Sequence, residues 1–151
     1  MAVALLIPLA AAAQQLKTPV SLGHTGKDQV GSLFVEAFSR QLSRSPRYES
    51  MSESEKGFRF FVDFITVDAA DMTPEKGKRS AVSVVIQQMG LPNSFPVADM
   101  WYHKIIVVDR RTVDATTKEL LEDMTARWCS YLKDSVGGCA KKRFEPKLSP
   151  D

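Results

Sequence analysis

The chain has 151 residues, of which 44% are hydrophobic and 25% are charged. This is the composition of an ordinary globular protein, and the length suits one domain that buries one core without metal ions or several disulfides. The formal net charge of +2 is too small to indicate a nucleic-acid-binding protein. Composition therefore predicts a single globular domain and argues against nucleic acid as its partner.

The amino-terminal residues form an apolar run, Ala2–Ala13, which is too short to cross a bilayer as a helix. It closes on Ala11–Ala13, and small residues of this kind are typical of a signal-peptide cleavage site. We therefore predict a signal peptide over residues 1–13, a mature protein that begins at Gln14 without a transmembrane span, and a periplasmic or secreted location. No Lys or Arg precedes the run, so the alternative is a buried amino-terminal helix.

The two cysteines, Cys129 and Cys139, are close in sequence. In an oxidising compartment an even number of cysteines indicates a disulfide, so export predicts a bridge between these two residues. The alternative is a pair of unrelated free thiols, which becomes the expected state if the chain is not exported. The spacing does not match a metal site.

The first predicted element is a short strand over Thr18–Leu22, followed by a turn over Gly23–Gly26. From residue 28 to about 43, apolar residues recur at intervals of three and four, which predicts a helix with one apolar face. Asp28 is the expected N-cap. Pro46 ends the helix, because the residue before a proline disfavours the α conformation.

A brief strand at Tyr48–Met51 and three long strands are predicted next. The first long strand shows alternation, with Phe58, Phe60, Val62 and Phe64 on one face. The second is the valine-rich run Ala81–Met89, and the third is Trp101–Asp109. Loops rich in proline and glycine separate these strands.

The last predicted element is a helix over Asp114–Ser135, where apolar residues again keep helical spacing. Thr116 and Glu119 fit a capping box, with Thr112 or Asp114 as the alternative cap. A pair of glycines at 137 and 138 ends the helix. Residues 141–151 are expected to form a flexible tail.

These elements predict an α+β fold over residues 14–140, a two-layer sandwich in which an antiparallel sheet of three to five strands packs against two helices. Short connections favour antiparallel neighbours. Because the helices cover one face of such a sheet, we expect function, or a dimer interface, on the other face.

No residue pattern indicates catalysis. His24 is predicted in the glycine turn, whereas His103 shares a strand face with Trp101, Ile105 and Val107, which favours a partly buried packing role. The sequence also lacks a phosphate-binding loop, a serine nucleophile elbow and a cluster of metal ligands. We therefore predict no catalytic residue, no metal site and no cofactor.

The segment from Leu91 to Val97 holds two prolines and leads into an aromatic pair. A stiff loop with exposed aromatic residues is typical of a binding loop, so Asn93, Phe95, Trp101 and Tyr102 are the candidate binding residues. The alternative is that Phe95 and Trp101 pack into the core.

Two motifs carry a resemblance: Arg44–Tyr48 after the first predicted helix, and Trp101–Lys104 in the last strand. With the leader, this layout resembles small exported bacterial proteins of unknown function. A helix, a short turn, an aromatic residue and a strand are also similar to the amino-terminal α/β domain of the TolB family of periplasmic assembly proteins. The chain lacks the second helix that this family has before its next strand, so no binding residue carries over. The resemblance implies export and a non-enzymatic role.

The sequence thus predicts an exported, non-catalytic domain that acts by contact with a protein or a ligand, with another exported or envelope protein as the candidate partner. Two alternatives stay open. A small secreted hydrolase would place His24 or His103 in a pocket with a carboxylate and a hydroxyl group. A secreted inhibitor-like module would present a rigid loop at residues 90–100.

Overall fold

The structure, a computed structural model, describes residues 17–52, 57–69, 74, 76–89 and 99–131. In these ranges the elements follow the order β1 (Thr18–Thr25), α1 (Gln29–Arg44), β2 (Tyr48–Ser50), β3 (Arg59–Asp68), β4 (Arg79–Met89), β5 (Asp99–Asp109) and α2 (Val113–Tyr131). The α+β fold class and the sequence of elements are as predicted.

The strands form one mixed sheet in the order β2-β1-β3-β4-β5. Strands β3, β4 and β5 pair antiparallel, as predicted. However, β1 runs parallel to both β2 and β3, so the prediction of a wholly antiparallel sheet is wrong. The reason is that α1 itself carries the chain from the end of β1 back to the start of β2, and such a helical crossover is the connection that parallel strands need.

Strand β1 is longer than predicted, because it continues through the glycine segment to Thr25. Gly23 and His24 are therefore strand residues that pair with Asp63 and Phe64 of β3, and not residues of a turn. A Cβ atom on Gly23 would lie 2.7 Å from the ring of Phe61. Glycine at this position makes room for a side chain of the neighbouring strand.

Helix α1 begins as predicted. The Asp28 carboxylate caps it, with Oδ1 accepting a hydrogen bond from the backbone N–H of Gly31 at 2.6 Å. The helix ends at Arg44, one residue before Ser45 takes an extended conformation ahead of Pro46. Its buried side consists of Val30, Gly31, Phe34, Ala37, Phe38 and Leu42.

Both helices pack on one face of the sheet, which we call the covered face. Its central side chains come from alternate positions of β1, β3 and β4, and all are 0% exposed: Val20, Phe60, Val62, Phe64, Val82, Val84 and Ile86. The Phe64 ring makes edge-on contacts with Phe34 and Phe38 of α1, with centroids 6.0 and 5.2 Å apart. Aromatic residues thus join the first helix to the middle of the sheet.

Helix α2 is held by polar contacts as well as by its apolar side. The Tyr48 hydroxyl lies 3.1 Å from Thr125 Oγ1, and Gln41 Nε2 donates to Thr117 Oγ1 at 2.8 Å. Because α2 begins at Val113, Thr116 lies inside the helix, and the capping box predicted for it is wrong. Thr112 is the residue that precedes the helix.

A β-bulge in β5 interrupts the regular pairing of β4 with β5 near one end of the two strands. Ile86 pairs with Tyr102, but the next pair is Gln87 with Met100, which leaves Trp101 as the extra residue. A bulge redirects side chains, and Trp101 stacks on Phe60 with ring centroids 5.2 Å apart. It therefore packs on the covered face. Simple alternation predicted that Trp101 and His103 share a face, and this prediction is wrong.

Several predictions concern segments outside the described residues: the signal peptide at 1–13, residues 90–98 of the loop predicted at 90–100, Cys139 and the tail at 141–151. The predicted disulfide therefore stays a prediction. Neither described helix combines the length and the hydrophobicity that a membrane span requires.

Candidate binding surface

The face of the sheet opposite the helices, which we call the open face, carries the second set of alternating side chains. The register aligns them in rows across β3, β4 and β5: Asp63–Val85–His103, then Ile65–Ser83–Ile105, then Val67–Ala81–Val107. The open face thus has one row with polar residues at both ends, followed by two rows rich in aliphatic side chains.

Four aliphatic side chains on this face are strongly exposed, with Ile65 at 45%, Val67 at 57%, Val107 at 64% and Ile105 at 68%. They lie in adjacent rows, with Ala81 and Ser83 between them on β4, so they form one continuous surface, the aliphatic patch. Single exposed apolar residues are ordinary, whereas a contiguous apolar patch marks an interaction site.

Polar residues border the aliphatic patch at both ends along the strands. Asp63 and His103 precede it, two positions before Ile65 and Ile105. Arg79 pairs with Asp109 two positions beyond Ala81 and Val107. An apolar centre with a polar rim of both charge signs is the usual layout of a protein–protein interface.

His103 lies on the open face and is exposed, so the prediction of a partly buried packing histidine is wrong. Its Nε2 atom is 3.2 Å from the Ser83 hydroxyl. The nearest carboxylate in its row belongs to Asp63 on β3, with β4 between them. The side chains of His103 and Asp63 form no hydrogen bond with each other, so they do not make the contact of a catalytic pair in this structure.

His24 lies at the end of β1 and contacts a buried hydroxyl. Its Nε2 atom is 3.0 Å from Thr66 Oγ1, and Thr66 is only 2% exposed. A hydroxyl that a substrate cannot reach does not serve as a nucleophile, so this contact is structural. The nearby Asp28 caps α1, and its second carboxylate oxygen, Oδ2, is buried without a hydrogen bond.

Two of the four predicted binding residues fall in the described ranges. Trp101 is half-buried and packs against the core, which agrees with the packing alternative stated for it. Tyr102 is 7% exposed, and its hydroxyl donates to Asp123 Oδ2 at 2.7 Å. Burial, together with this bond to a carboxylate, raises the pKa of Tyr102. Asn93 and Phe95 lie outside the described residues, so the role of the loop stays a prediction.

An open cleft lies at the end of the sheet beyond the aliphatic patch. Its volume is about 470 Å³, and it is lined by Gly77, Lys78, Arg79, Asp109, Arg110 and Arg111. We call it the arginine cleft. Asp109 Oδ1 accepts hydrogen bonds from the backbone N–H groups of Arg111 at 2.8 Å and Thr112 at 3.1 Å. The bond from Arg111, aided by those from Thr112, lowers the pKa of Asp109.

A second open cleft lies between β1 and α1. It has a volume of about 490 Å³ and is lined by Leu22, Val35, Glu36, Ser39 and Arg40. Neither of these two clefts contains a histidine. Among the described residues, no group of three or more histidine, cysteine or acidic side chains is placed to hold a metal ion.

The residues of the aliphatic patch were not singled out from the sequence, although the open face was. Their signal is present: Ile65 and Val67 continue the second set of alternating positions in β3, and Ile105 and Val107 do the same in β5. Alternation assigns residues to two faces but does not show which apolar face remains uncovered. No protein-family model and no curated protein sequence matches the chain.

Proposed function

We propose that this chain is an exported, non-catalytic domain that binds another protein through the open face of its sheet. The observation that supports this most directly is the aliphatic patch, where Ile65, Val67, Ile105 and Val107 are each roughly half exposed or more. Covering such side chains removes apolar area from water, which is the main favourable term in protein association.

The shape and charge of the face favour a protein over other ligands. Its β-branched side chains stand on a sheet, and a sheet face packs naturally on a second sheet or a helix. Asp63 lies at one border and Arg79 at the other. An anionic membrane surface would attract Arg79 but repel Asp63, whereas a protein can match both charges. We therefore expect a partner with an aliphatic surface and a rim of both signs.

Site-specific crosslinking tests this proposal. A photoreactive residue at position 105, in the full chain produced in its own host, should crosslink one defined partner. The same residue at Lys118, which is exposed on α2 away from the open face, serves as the matched control. Purified partner should then bind the wild-type protein and lose at least tenfold in affinity for Ile105→Asp.

Three outcomes would count against the proposal: equal crosslinking from both positions, a partner that binds Ile105→Asp normally, or no crosslink at all. Circular dichroism and the free energy of unfolding establish that Ile105→Asp is folded, which we expect because the side chain is 68% exposed. Analytical ultracentrifugation identifies the case in which the crosslinked partner is a second copy.

Export is a separate part of the proposal, supported by the apolar leader that closes on Ala11–Ala13. Mass spectrometry of protein expressed with this leader should find a species that begins at or near Gln14 in the periplasm or the medium. Full-length protein confined to the cytosol would contradict export.

The disulfide between Cys129 and Cys139 is proposed on the same grounds, because exported proteins keep such pairs oxidised. Thiol titration of exported, unreduced protein should find no reactive cysteine. A loop of this length should stabilise the fold by roughly 2–3 kcal/mol, so reduction should lower the free energy of unfolding by that amount. Two titratable thiols in exported protein would contradict the bridge.

A further inference from the structure

We infer that the arginine cleft is a phosphate-binding site, separate from the aliphatic patch. Among the described residues, four cationic side chains, those of Lys78, Arg79, Arg110 and Arg111, line this cleft together with one carboxylate. They come from two chain segments that meet at the end of the sheet, since Arg79 begins β4 and Arg110 follows the last residue of β5.

No ion pair neutralises the three arginines in the described part of the chain, although the Asp109 carboxylate attracts Arg111 from beyond ion-pair distance. In the described part of the chain, the guanidinium groups of Arg79 and Arg111 form no hydrogen bond or ion pair, and that of Arg110 contacts only the side-chain oxygen of Gln29. All three residues are exposed. Some other cations of the surface are ion-paired, such as Arg40 with Asp114 and Arg127 with Asp123.

Among the described residues of the cleft, Asp109 supplies the carboxylate. That carboxylate accepts hydrogen bonds from the local backbone. Its Oδ1 atom accepts hydrogen bonds from the N–H groups of Arg111 and Thr112 and from the Thr112 hydroxyl. These bonds fix the turn between β5 and α2. Asp109 therefore holds the segment that carries Arg110 and Arg111 in place, and the cleft keeps an excess of positive charge.

The number of guanidinium groups favours phosphate over a carboxylate. One arginine fork already satisfies both oxygens of a carboxylate, whereas a phosphate offers at least three acceptor oxygens and nearly two negative charges. Three arginines around one opening therefore match a phosphate better than a carboxylate. The phosphate can belong to a soluble phosphate monoester or to the monoester headgroup of phosphatidic acid, because both present the terminal oxygens and the charge described above.

Titration of the full-length protein with inorganic phosphate at low ionic strength tests the site, with calorimetry or phosphorus NMR as the readout. Arg111→Gln should weaken binding roughly tenfold, the loss of one charge-assisted hydrogen bond. Arg111→Lys should give an intermediate loss, because it keeps the charge but not the fork. Lys118→Gln is the matched control, because it removes one exposed charge outside the cleft.

Co-sedimentation with vesicles separates the two sources. Binding to phosphatidic acid vesicles but not to phosphatidylcholine vesicles, lost in Arg111→Gln, identifies a headgroup. Binding of inorganic phosphate without vesicle binding identifies a soluble ligand. Either result supports the inference. Arg79→Gln provides a second variant on the other chain segment should Arg111→Gln fail to fold.

The inference is overturned if wild-type protein binds neither probe, if succinate binds as tightly as phosphate, or if Lys118→Gln weakens binding as much as Arg111→Gln does. Failure here leaves the proposed protein interface intact, because crosslinking from position 105 does not depend on the cleft. Conversely, an Ile105→Asp variant that loses its partner should bind phosphate normally.

Discussion

The two faces of the sheet are built from the same strands and from similar side chains, yet they differ in what covers them. On the covered face Phe64 and Val84 are 0% exposed beneath the helices. On the open face Ile65, the next residue after Phe64, is 45% exposed, and Val107 is 64% exposed. Residue type alone therefore does not distinguish a core position from a binding position in this protein; the position of the helices does.

The largest effect that separates the two faces is expected in β3. Phe64→Ala should destabilise the fold by about 3–5 kcal/mol, because it leaves a cavity where the ring contacts Phe34 and Phe38. Ile65→Ala, at the adjacent position on the open face, should cost about 1 kcal/mol or less. Urea unfolding followed by tryptophan fluorescence measures both. Similar losses in the two variants would show that the open face is also core.

The next effect concerns how closely α1 sits on the covered face. A Cβ atom on Gly31 would lie 2.4 Å from Thr66 Cβ and 2.6 Å from Asp28 Oδ2. Alanine normally stabilises a helix relative to glycine by about 0.5–1 kcal/mol. Here we expect the opposite sign, a loss of roughly 1–3 kcal/mol from overpacking.

Glu36→Ala on the exposed side of α1 is the control for Gly31→Ala, and it should change the free energy of unfolding by no more than about 0.5 kcal/mol. A gain in stability for Gly31→Ala would mean that the helix can move away from the sheet and that the close contact with Thr66 is not required.

Some features of the fold can be predicted from the sequence and others cannot, depending on whether the feature depends on local or long-range interactions. Periodicity locates α1 and the long strands well, because their apolar residues repeat over many positions. The N-cap at Asp28 was also predicted correctly, because side-chain capping is a local interaction. Periodicity fails for β1, where Gly23, which makes room for Phe61, resembles a turn residue. It also fails for the parallel pairing, which depends on long-range contacts.

The residues of the aliphatic patch were not predicted individually. The sequence predicted only that the face of the sheet opposite the helices would carry function or a dimer interface. Alternation identifies two apolar sets in β3 but does not show which set the helices cover. The bulge moves Trp101 off the face that it was predicted to share with His103, and the helices leave that face uncovered, so His103 was assigned to the wrong environment. The arginine cleft had no sequence signal, because Arg79 and Arg110 are 31 positions apart and meet only when β4 and β5 pair.

A smaller effect is expected at the hydroxyl of Tyr102, which donates to Asp123 at the covered side of β5. Tyr102→Phe removes this bond and should cost about 1 kcal/mol near neutral pH. Because the folded state raises the pKa of Tyr102, its neutral form stabilises the fold. This contribution is complete below the ordinary tyrosine pKa of about 10 and is lost as the pH rises above that value.

Unfolding measured between about pH 8 and pH 11 should therefore show a shallower alkaline loss of stability in Tyr102→Phe than in wild type. The remaining slope is expected from Tyr48, whose pKa burial also raises. An unchanged slope would mean that Tyr102 ionises as easily in the folded state as in the unfolded chain.

The smallest expected effect is the most direct test of the comparison between the faces. Val107→Thr replaces one methyl group by a hydroxyl of nearly the same size at a position that is 64% exposed. Because water can solvate that hydroxyl, the free energy of unfolding should change by no more than about 0.5 kcal/mol. Val84→Thr makes the same change on the covered face, where the hydroxyl is buried, and should cost about 1–3 kcal/mol. Equal costs at the two positions would show that Val107 is covered in the folded protein. In that case the aliphatic patch would be part of the core, and the proposed interface would be wrong.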